Sequence, residues 1–248
     1  MATAKGSLTG RLRRLPRRMV RRLKRAGFAP SAQKRPASPA PSASRRTREI
    51  DKIDDLHAFW RQPTPEGNSP DAFVSPVGRS KALVELLSDL PTDARILEVG
   101  CNVGRNLAHL YDHGYRHLEG VEISPHAVEL LRKTYPQIAD VPIHVGPAED
   151  VLPDMATDSF DLVFTMAVIE HIHPDSSAVF DHMVRIGRSI LSIEPPGRRS
   201  HRQHPHDVAE IFRSRGMTLV TERPMSDFAE TRDDAIRVYS AYRFQRSA

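Results

Sequence analysis

The sequence predicts an α/β protein with a doubly wound, mostly parallel seven-stranded sheet and helices on both faces. Short apolar runs rich in Val, Ile and Leu recur along the chain, as buried parallel strands require. Amphipathic segments of 10 to 13 residues separate several of these runs, which is the length of a crossover helix. Several apolar runs also end at glycines or acidic residues, as strands do when they enter a loop.

Charge divides the chain into two regions. Residues 1–48 contain 15 Lys or Arg and no Asp or Glu, so residues 49–248 hold 21 basic and 31 acidic side chains. We expect a basic arm and linker over 1–48, a cover segment over 49–77 and a main domain over 78–248. No apolar stretch is long enough to span a bilayer or to act as a secretory signal. The single cysteine, Cys101, excludes an internal disulfide framework and fits a cytoplasmic setting.

The basic arm contains a predicted short helix that begins at Pro16. Met19, Val20 and Leu23 share one face of this helix, and arginines cover the others. Such a helix suits an anionic membrane surface or a nucleic-acid backbone. A disordered solubilising tail and an organelle transit peptide are the alternatives. A Pro/Ala/Ser-rich linker follows the helix.

The elements of the main domain follow from periodicity and from turn residues. The predicted helices cover 78–90, 105–114, 124–135 and 204–216. The predicted strands cover 94–100, 117–123, 142–148, 160–168, 188–195, 217–224 and 235–244. Ligands of such sheets bind at the carboxyl ends of the strands, so the residues that follow each strand are the candidates for a site.

An acid and two glycines mark the end of the first strand, in the stretch ILEVGCNVGRNL. Gly100 and Gly104 allow the backbone to turn tightly and to approach a ligand closely. A plain strand-to-helix turn is the simpler explanation of a glycine pair. Glu122 at the end of the second strand favours a ligand, because an acid there can accept both hydroxyls of a ribose. Asn102 stands where a dinucleotide site has its middle glycine, which argues against NAD.

These motifs resemble the Rossmann-like class I S-adenosylmethionine-dependent methyltransferases. That family carries [DE]-x-G-x-[GN]-x-G after its first strand and an acid after its second. A polar pair follows its third strand, and its fourth strand begins with Phe-Asp. This chain has Glu98 to Gly104, then Glu122, GPAEDVLP and SFDLVFTMAVIEHIHP in that order. The pattern E-[IV]-G-x-N-x-G-x-N-L further resembles a subgroup linked to pseudaminic acid and other surface-sugar biosynthesis.

The resemblance implies S-adenosylmethionine (SAM) as the cofactor. No metal is expected, because no Cys/His spacing in the sequence resembles a zinc site. The loop from Gly100 to Gly104 would hold its methionine part, Glu122 its ribose, and Glu98 would lie near the amino group and the sulfonium. The pair Glu149 and Asp150 would border the adenine. The full implied set of cofactor-binding residues is Glu98, Gly100, Cys101, Asn102, Gly104, Glu122, Ile123, Ala148, Glu149, Asp150 and Met166.

Two features bear on catalysis and on the acceptor. His171 follows the fourth strand and is the candidate general base, or else it only packs against the cofactor or caps a helix. The stretch HRQHPHD at 201–207 is a substrate-facing loop or, less favoured, a metal site. Trp60, Phe59 and Phe73 precede the main domain and form either a lid over the cofactor or an apolar plug.

The leading hypothesis is a cytoplasmic methyltransferase, peripheral to the membrane if the arm binds lipid, that acts on a small molecule or a sugar unit. A nucleic-acid methyltransferase is the second hypothesis, since the arm suits phosphates. Against it, the chain has TMAVIEHI where methylases of exocyclic base amines carry [N/D]-P-P-[Y/F] after the fourth strand. The third hypothesis is a methyltransferase-like domain that binds a partner without turnover.

Overall fold

The structure is a computed structural model that describes residues 52–62, 69–75, 77–197 and 203–246. The predicted helix and linker of the basic arm lie outside these residues. The helices are α1 (Ile53–Arg61), α2 (Gly78–Leu86), α3 (Arg105–Asp112), α4 (Pro125–Thr134), α5 (Ala148–Val151), α6 (Ala178–Ile186) and α7 (Val208–Arg213). The strands are β1 (Arg95–Val99), β2 (His117–Glu122), β3 (Ile143–Val145), β4 (Leu162–Met166), β5 (Ser189–Glu194), β6 (Met217–Pro224) and β7 (Ser240–Arg246).

The seven strands form one sheet in the order β3-β2-β1-β4-β5-β7-β6. The first five run parallel, and β7 is antiparallel to both β5 and β6. One apolar cluster packs residues of α2, α3 and α4 on one face of the sheet, and a second packs residues of α6 and α7 on the other. The predicted fold class is confirmed.

Topology also fixes the place of the site. Strand order reverses between β1 and β4, and the carboxyl ends of the five parallel strands meet at one edge. Such a switch point leaves a crevice, because the loops on its two sides run to opposite faces of the sheet.

Several predicted elements have different bounds in the structure, and two of them show the physical cause. The seventh strand begins at Ser240 rather than at 235, since a 3-10 helix occupies Ala235–Val238. Asp234 caps that helix by accepting from the amide of Ile236 at 3.0 Å. The predicted helix over 204–216 covers only Val208–Arg213, because Asp207 caps it by accepting from the amide of Glu210 at 2.9 Å.

Three helices are absent from the predicted elements. The shortest, α5, begins at Ala148, which was predicted to end the third strand. In α6, Val179, Met183 and Ile186 are buried on one face at helical spacing, and this pattern is readable in the sequence. Helix α1 lies within the predicted cover segment and buries Leu56. Within the parts of the chain that the structure describes, no helix has the length and apolarity needed to cross a bilayer.

Candidate functional site

A cavity of about 300 Å³ lies at the carboxyl edge of the sheet. Its walls come from the loops after β1, β2, β3 and β4, with α1 and the segment before β7 on the far side. It is lined by Leu56, His57, Trp60, Phe73, Arg79, Glu98, Val99, Gly100, Cys101, Asn102, Val103, Arg105, Asn106, Val121, Glu122, Ile123, Gly146, Pro147, Ala148, Glu149, Met166, Ala167, Val168, Glu170, His171, Ile172 and Tyr239.

The turn after β1 adopts a conformation that favours glycine and asparagine. Gly100, Asn102 and Gly104 have φ of +75°, +48° and +70°, in the left-handed region that residues with a Cβ seldom enter. A Cβ on Gly100 would also lie 2.6 Å from Cγ2 of Val168. The turn therefore places bare backbone against the loop after β4. Gly104 caps α3 and does not line the cavity.

Glu122 joins the loops after β1 and β2. Its carboxylate accepts from the amide of Asn102 at 2.7 Å and from the amide of Ser124 at 2.8 Å. Burial raises the pKa of Glu122, and these backbone hydrogen bonds oppose that shift. A backbone hydrogen bond at Ile123 also acts on this carboxylate. A carboxylate has about four lone-pair sites, so at least one remains for a donor of a ligand.

Glu98 ends a buried hydrogen-bond chain that crosses three elements. Arg105 Nε donates to Ser80 Oγ at 3.0 Å, Ser80 Oγ to Asn106 Oδ1 at 2.7 Å, and Asn106 Nδ2 to Glu98 Oε1 at 2.7 Å. Burial raises the pKa of Glu98 to about 8 and lowers the pKa of Arg105 to about 10. Within the described part of the chain, the other carboxylate oxygen, Oε2, is buried without a partner, and so is Oδ1 of Asn102. Unpaired buried acceptors on the cavity wall fit a ligand that brings a cationic donor, such as the amino group of SAM.

The loop after β3 separates the two acidic residues of the GPAEDVLP motif. Glu149 lines the cavity, and its Oε1 lies 3.2 Å from His57 Nε2 on α1. Asp150 is exposed and does not line the cavity. Ala148 and Ile123 complete this end of the wall.

The loop after β4 is held from below by a buried carboxylate. Glu194 at the end of β5 accepts from Thr165 Oγ1 at 2.9 Å and from the amide of Val168 at 3.1 Å. Burial raises the pKa of Glu194 to about 7. Ala167, between these two partners, has φ of +58°. A non-glycine residue with this φ stores strain that the surrounding structure must hold, as is common at functional sites.

His171 lies on a 3-10 helix, Ile169–His171, that follows this loop. Its Nε2 lies 3.7 Å from Oε1 of Glu170. Its ring contacts the indole of Trp60, with centroids 4.5 Å apart and planes at 55°. Phe73 also lines the cavity, whereas Phe59 does not. Helix α1 thus touches the loop after β3 through His57 and the loop after β4 through Trp60.

His204 and His206, the described histidines of HRQHPHD, do not line the cavity. The amide of His204 donates to the carbonyl of Glu170 at 2.7 Å, and its ring packs against His173. His206 Nε2 lies 3.0 Å from the carbonyl of Ile172. His201 lies outside the described residues. His204 and His206 therefore contact the residues on either side of His171 and help to fix its position.

Sequence reasoning did not select several residues of the cavity wall. Asn106 had a signal in the sequence, because it is the second asparagine of the quoted subgroup pattern; in the structure it is the second residue of α3. No sequence pattern placed His57, Arg79 or Tyr239 at the cavity, since these residues come from segments remote from the strand ends. Burial raises the pKa of Tyr239 to about 12, and the carboxylate of Glu170 adds to this shift.

Residues 97–189 match a family model described as a methyltransferase domain. No curated protein sequence matches this chain. Magnesium protoporphyrin IX methyltransferase ChlM from Synechocystis, solved with bound SAM, is 15% identical with a TM-score of 0.55, covering 82% of this chain and 95% of its own. A TehB-like SAM-dependent methyltransferase from Corynebacterium glutamicum is 17% identical with a TM-score of 0.54, covering 78% and 97%.

A third neighbour differs in its reaction. The [4+2]-cyclase SpnF is 14% identical with a TM-score of 0.55, covering 69% of this chain and 81% of its own. These identities establish the fold only. The matched domain lies on the part of the chain that carries the loops after β1, β2, β3 and β4, and therefore on most of the cavity wall.

Proposed function

We propose that this chain, which carries a match to a methyltransferase domain and shares the fold of SAM-dependent methyltransferases, is itself a class I SAM-dependent methyltransferase that methylates a small molecule or a sugar unit. The observation that carries the proposal is the convergence of four strand ends on one cavity. Within it, Glu122 keeps a lone-pair site for a hydroxyl donor, and Glu98 holds a buried oxygen that no described residue pairs with.

We assign the cofactor contacts to the β1–β3 end of the cavity. Glu122 accepts from the ribose hydroxyls, and the turn from Gly100 to Gly104 holds the methionine part beside Glu98. Ala148 and Glu149, with Ile123, border the adenine, and Met166 lies below. Asp150 is left out of this assignment because it is exposed. Arg105, buried and cationic at the cavity wall, is the partner for the methionine carboxylate.

When bound, SAM supplies a methyl group that is already a good electrophile. The work left to the chain is alignment of the acceptor and removal of a proton where the acceptor is a hydroxyl. His171 lines the cavity beyond the cofactor end, and a neutral imidazole takes up a proton near neutral pH. Glu170, at 3.7 Å, stabilises the imidazolium that forms.

Cavity size and charge favour a small acceptor over a nucleic acid. A cavity of about 300 Å³ is at the low end for ligand pockets. Residues 49–248 carry 21 basic and 31 acidic side chains, which repels a phosphate backbone. The resemblance to the surface-sugar subgroup supports a sugar acceptor. The basic arm would then hold the enzyme at an anionic membrane surface.

Methyl transfer is tested with labelled SAM and fractionated cell extract. The proposal predicts label in small metabolites, polysaccharide or lipid-linked sugar. Label in RNA would establish the nucleic-acid alternative, and tight SAM binding with no label in any fraction would support the non-catalytic one.

The arm is tested separately. Removal of residues 1–45 should abolish binding to vesicles that contain phosphatidylserine and leave SAM binding unchanged. Loss of RNA binding with no change on vesicles would contradict the membrane proposal.

A further inference from the structure

The indole nitrogen of Trp60 has no hydrogen-bond partner among the described residues. Trp60 is the single tryptophan of the chain and lines the cavity. Its Nε1 is shielded from solvent and pairs with none of the described residues. A buried unpaired N–H costs about 1–3 kcal/mol. Phenylalanine would fill most of the same space without that cost, so packing alone does not account for an indole here.

Helix α1 is fixed by contacts that do not involve the indole nitrogen. Leu56 is 2% exposed, and His57 Nε2 lies 3.2 Å from Glu149 Oε1. The ring of Trp60 packs by its faces and edges against Phe59 and His171, at centroid distances of 5.2 and 4.5 Å. The N–H is therefore free to serve a ligand without loss of the helix's anchoring.

The neighbours of Trp60 indicate which ligand would accept a hydrogen bond from its N–H. Trp60 contacts His171, which follows β4, whereas the assigned cofactor contacts cluster after β1, β2 and β3. An indole N–H only donates, so its partner must bring a lone pair. A neutral imidazole beside it accepts a proton. A hydroxyl is the reacting group that satisfies Trp60 and His171 at once, because it accepts a hydrogen bond from the indole and gives up a proton to the imidazole.

We propose that Trp60 is a specificity-determining residue whose N–H donates to the hydroxyl oxygen that becomes methylated. This rests on the proposed function and narrows it to O-methylation. In the reaction the acceptor O–H bond breaks and its proton passes to His171. The oxygen forms the new bond to the methyl carbon, and the electron pair of the broken carbon–sulfur bond stays on sulfur. A protonated amine has no lone pair for Trp60 and fails this requirement.

The single tryptophan makes the donor directly observable. Full-length ¹⁵N-labelled protein has one indole N–H resonance and is first saturated with S-adenosylhomocysteine. It is then titrated with ethylene glycol and, in a matched sample, with ethylenediamine at neutral pH. We expect a saturable downfield shift of the indole proton with the diol and none with the charged diamine. The proposal would be overturned if the indole proton did not shift with the diol or shifted equally with both probes. It would also be overturned if the full downfield shift were already present with S-adenosylhomocysteine alone.

A pair of variants tests the same donor by function. Trp60→Phe keeps a ring against His171 and removes the N–H, and Asp55→Asn is the control because Asp55 is exposed on the same helix and does not line the cavity. We expect W60F to melt no lower than the wild type, to bind SAM within about twofold and to label the acceptor fraction about tenfold more slowly. D55N should label at the wild-type rate.

An unchanged rate in W60F with SAM binding intact contradicts the role of Trp60. Failure of the wild type to bind SAM removes the proposed function instead. The two failures are therefore distinguishable.

Discussion

The two ends of the cavity are built in different ways. At the β1–β2 end, polar groups are held by the chain itself, through the bonds of Glu122 to two backbone amides and the buried chain from Arg105 to Glu98. At the β4 end, the wall consists of rings from distant segments, with Trp60 from α1, His171 from a 3-10 helix and Tyr239 from the residues before β7. We infer that the first end is preorganised for one ligand, whereas the second sets acceptor choice.

The buried carboxylates beside the two ends repeat this contrast. Glu194 below the β4 loop has both oxygens hydrogen-bonded within the protein. Glu98 at the β1 end keeps one buried oxygen that pairs with none of the described residues. A carboxylate of the first kind stabilises the loop that it holds, whereas one of the second kind costs stability until a ligand arrives.

The largest expected effect is at the β4 end. His171→Gln should lower kcat by about 10²- to 10⁴-fold if the imidazole removes the acceptor proton. SAM affinity, measured by calorimetry, should stay within about twofold because the cofactor contacts lie elsewhere. His126→Gln, at an exposed position of α4, is the control. A kcat for H171Q within twofold of wild type would assign His171 to packing.

Gly100→Ala tests the turn at the other end. The added Cβ would lie 2.6 Å from Val168 at φ of +75°, so we expect a loss of about 2–5 kcal/mol in unfolding free energy, together with loss of SAM binding. Gly216→Ala has φ of +79° and no atom within 4 Å of its Cβ, and should lose only about 1–2 kcal/mol. Urea unfolding measures both. Equal losses would show that contact with the β4 loop is unimportant.

Glu122→Ala should weaken SAM binding by about 1–3 kcal/mol, because the ribose hydroxyls and the amide of Asn102 lose their acceptor. Glu119→Gln changes a glutamate of the same strand whose partner is His144, and should bind like the wild type. Calorimetry compares the two variants. Equal SAM affinities for the two variants would show that the ribose does not bind at Glu122.

The smallest effect expected is a pH-dependent gain in unfolding free energy from Glu98→Gln. The pKa of Glu98 is about 8 in the folded state, against an ordinary value of 4.5, so the folded state holds the extra proton between these values. Stability of the wild type therefore falls as pH rises through this window, and that loss is complete above about pH 8. Gln does not ionise and keeps the acceptor for Asn106, so E98Q should gain about 1 kcal/mol over wild type at high pH and little near pH 5.

Thermal melts across this range, without ligand, measure the gain. Glu129→Gln, an exposed residue of α4, is the control. A gain independent of pH would mean that Glu98 is ionised throughout. E98Q should also bind SAM more weakly, since glutamine cannot ionise to pair with the amino group.

The β1–β2 end was readable from the sequence because its parts are local. Gly100, Asn102 and Glu122 follow strands at fixed spacings, and the predicted strands place them at one edge. The β4 end was readable only in part. His171 and Trp60 were candidates from the sequence, but the contact between them, and the place of Tyr239 on the same wall, depend on long-range packing that no periodicity records. The start of β7 was misplaced for a similar reason. The cap that Asp234 gives to a 3-10 helix outweighs the strand-like run that follows it.

The most direct measurement is backbone amide mapping of S-adenosylhomocysteine on the full-length protein by ¹H–¹⁵N NMR. We expect saturable shifts concentrated at 100–104, 122–124, 146–149 and 166–168, with the β6–β7 pair unchanged. Shifts centred on β6 and β7, or no saturable shift in the loops after β1 and β2, would contradict a cofactor site in this cavity.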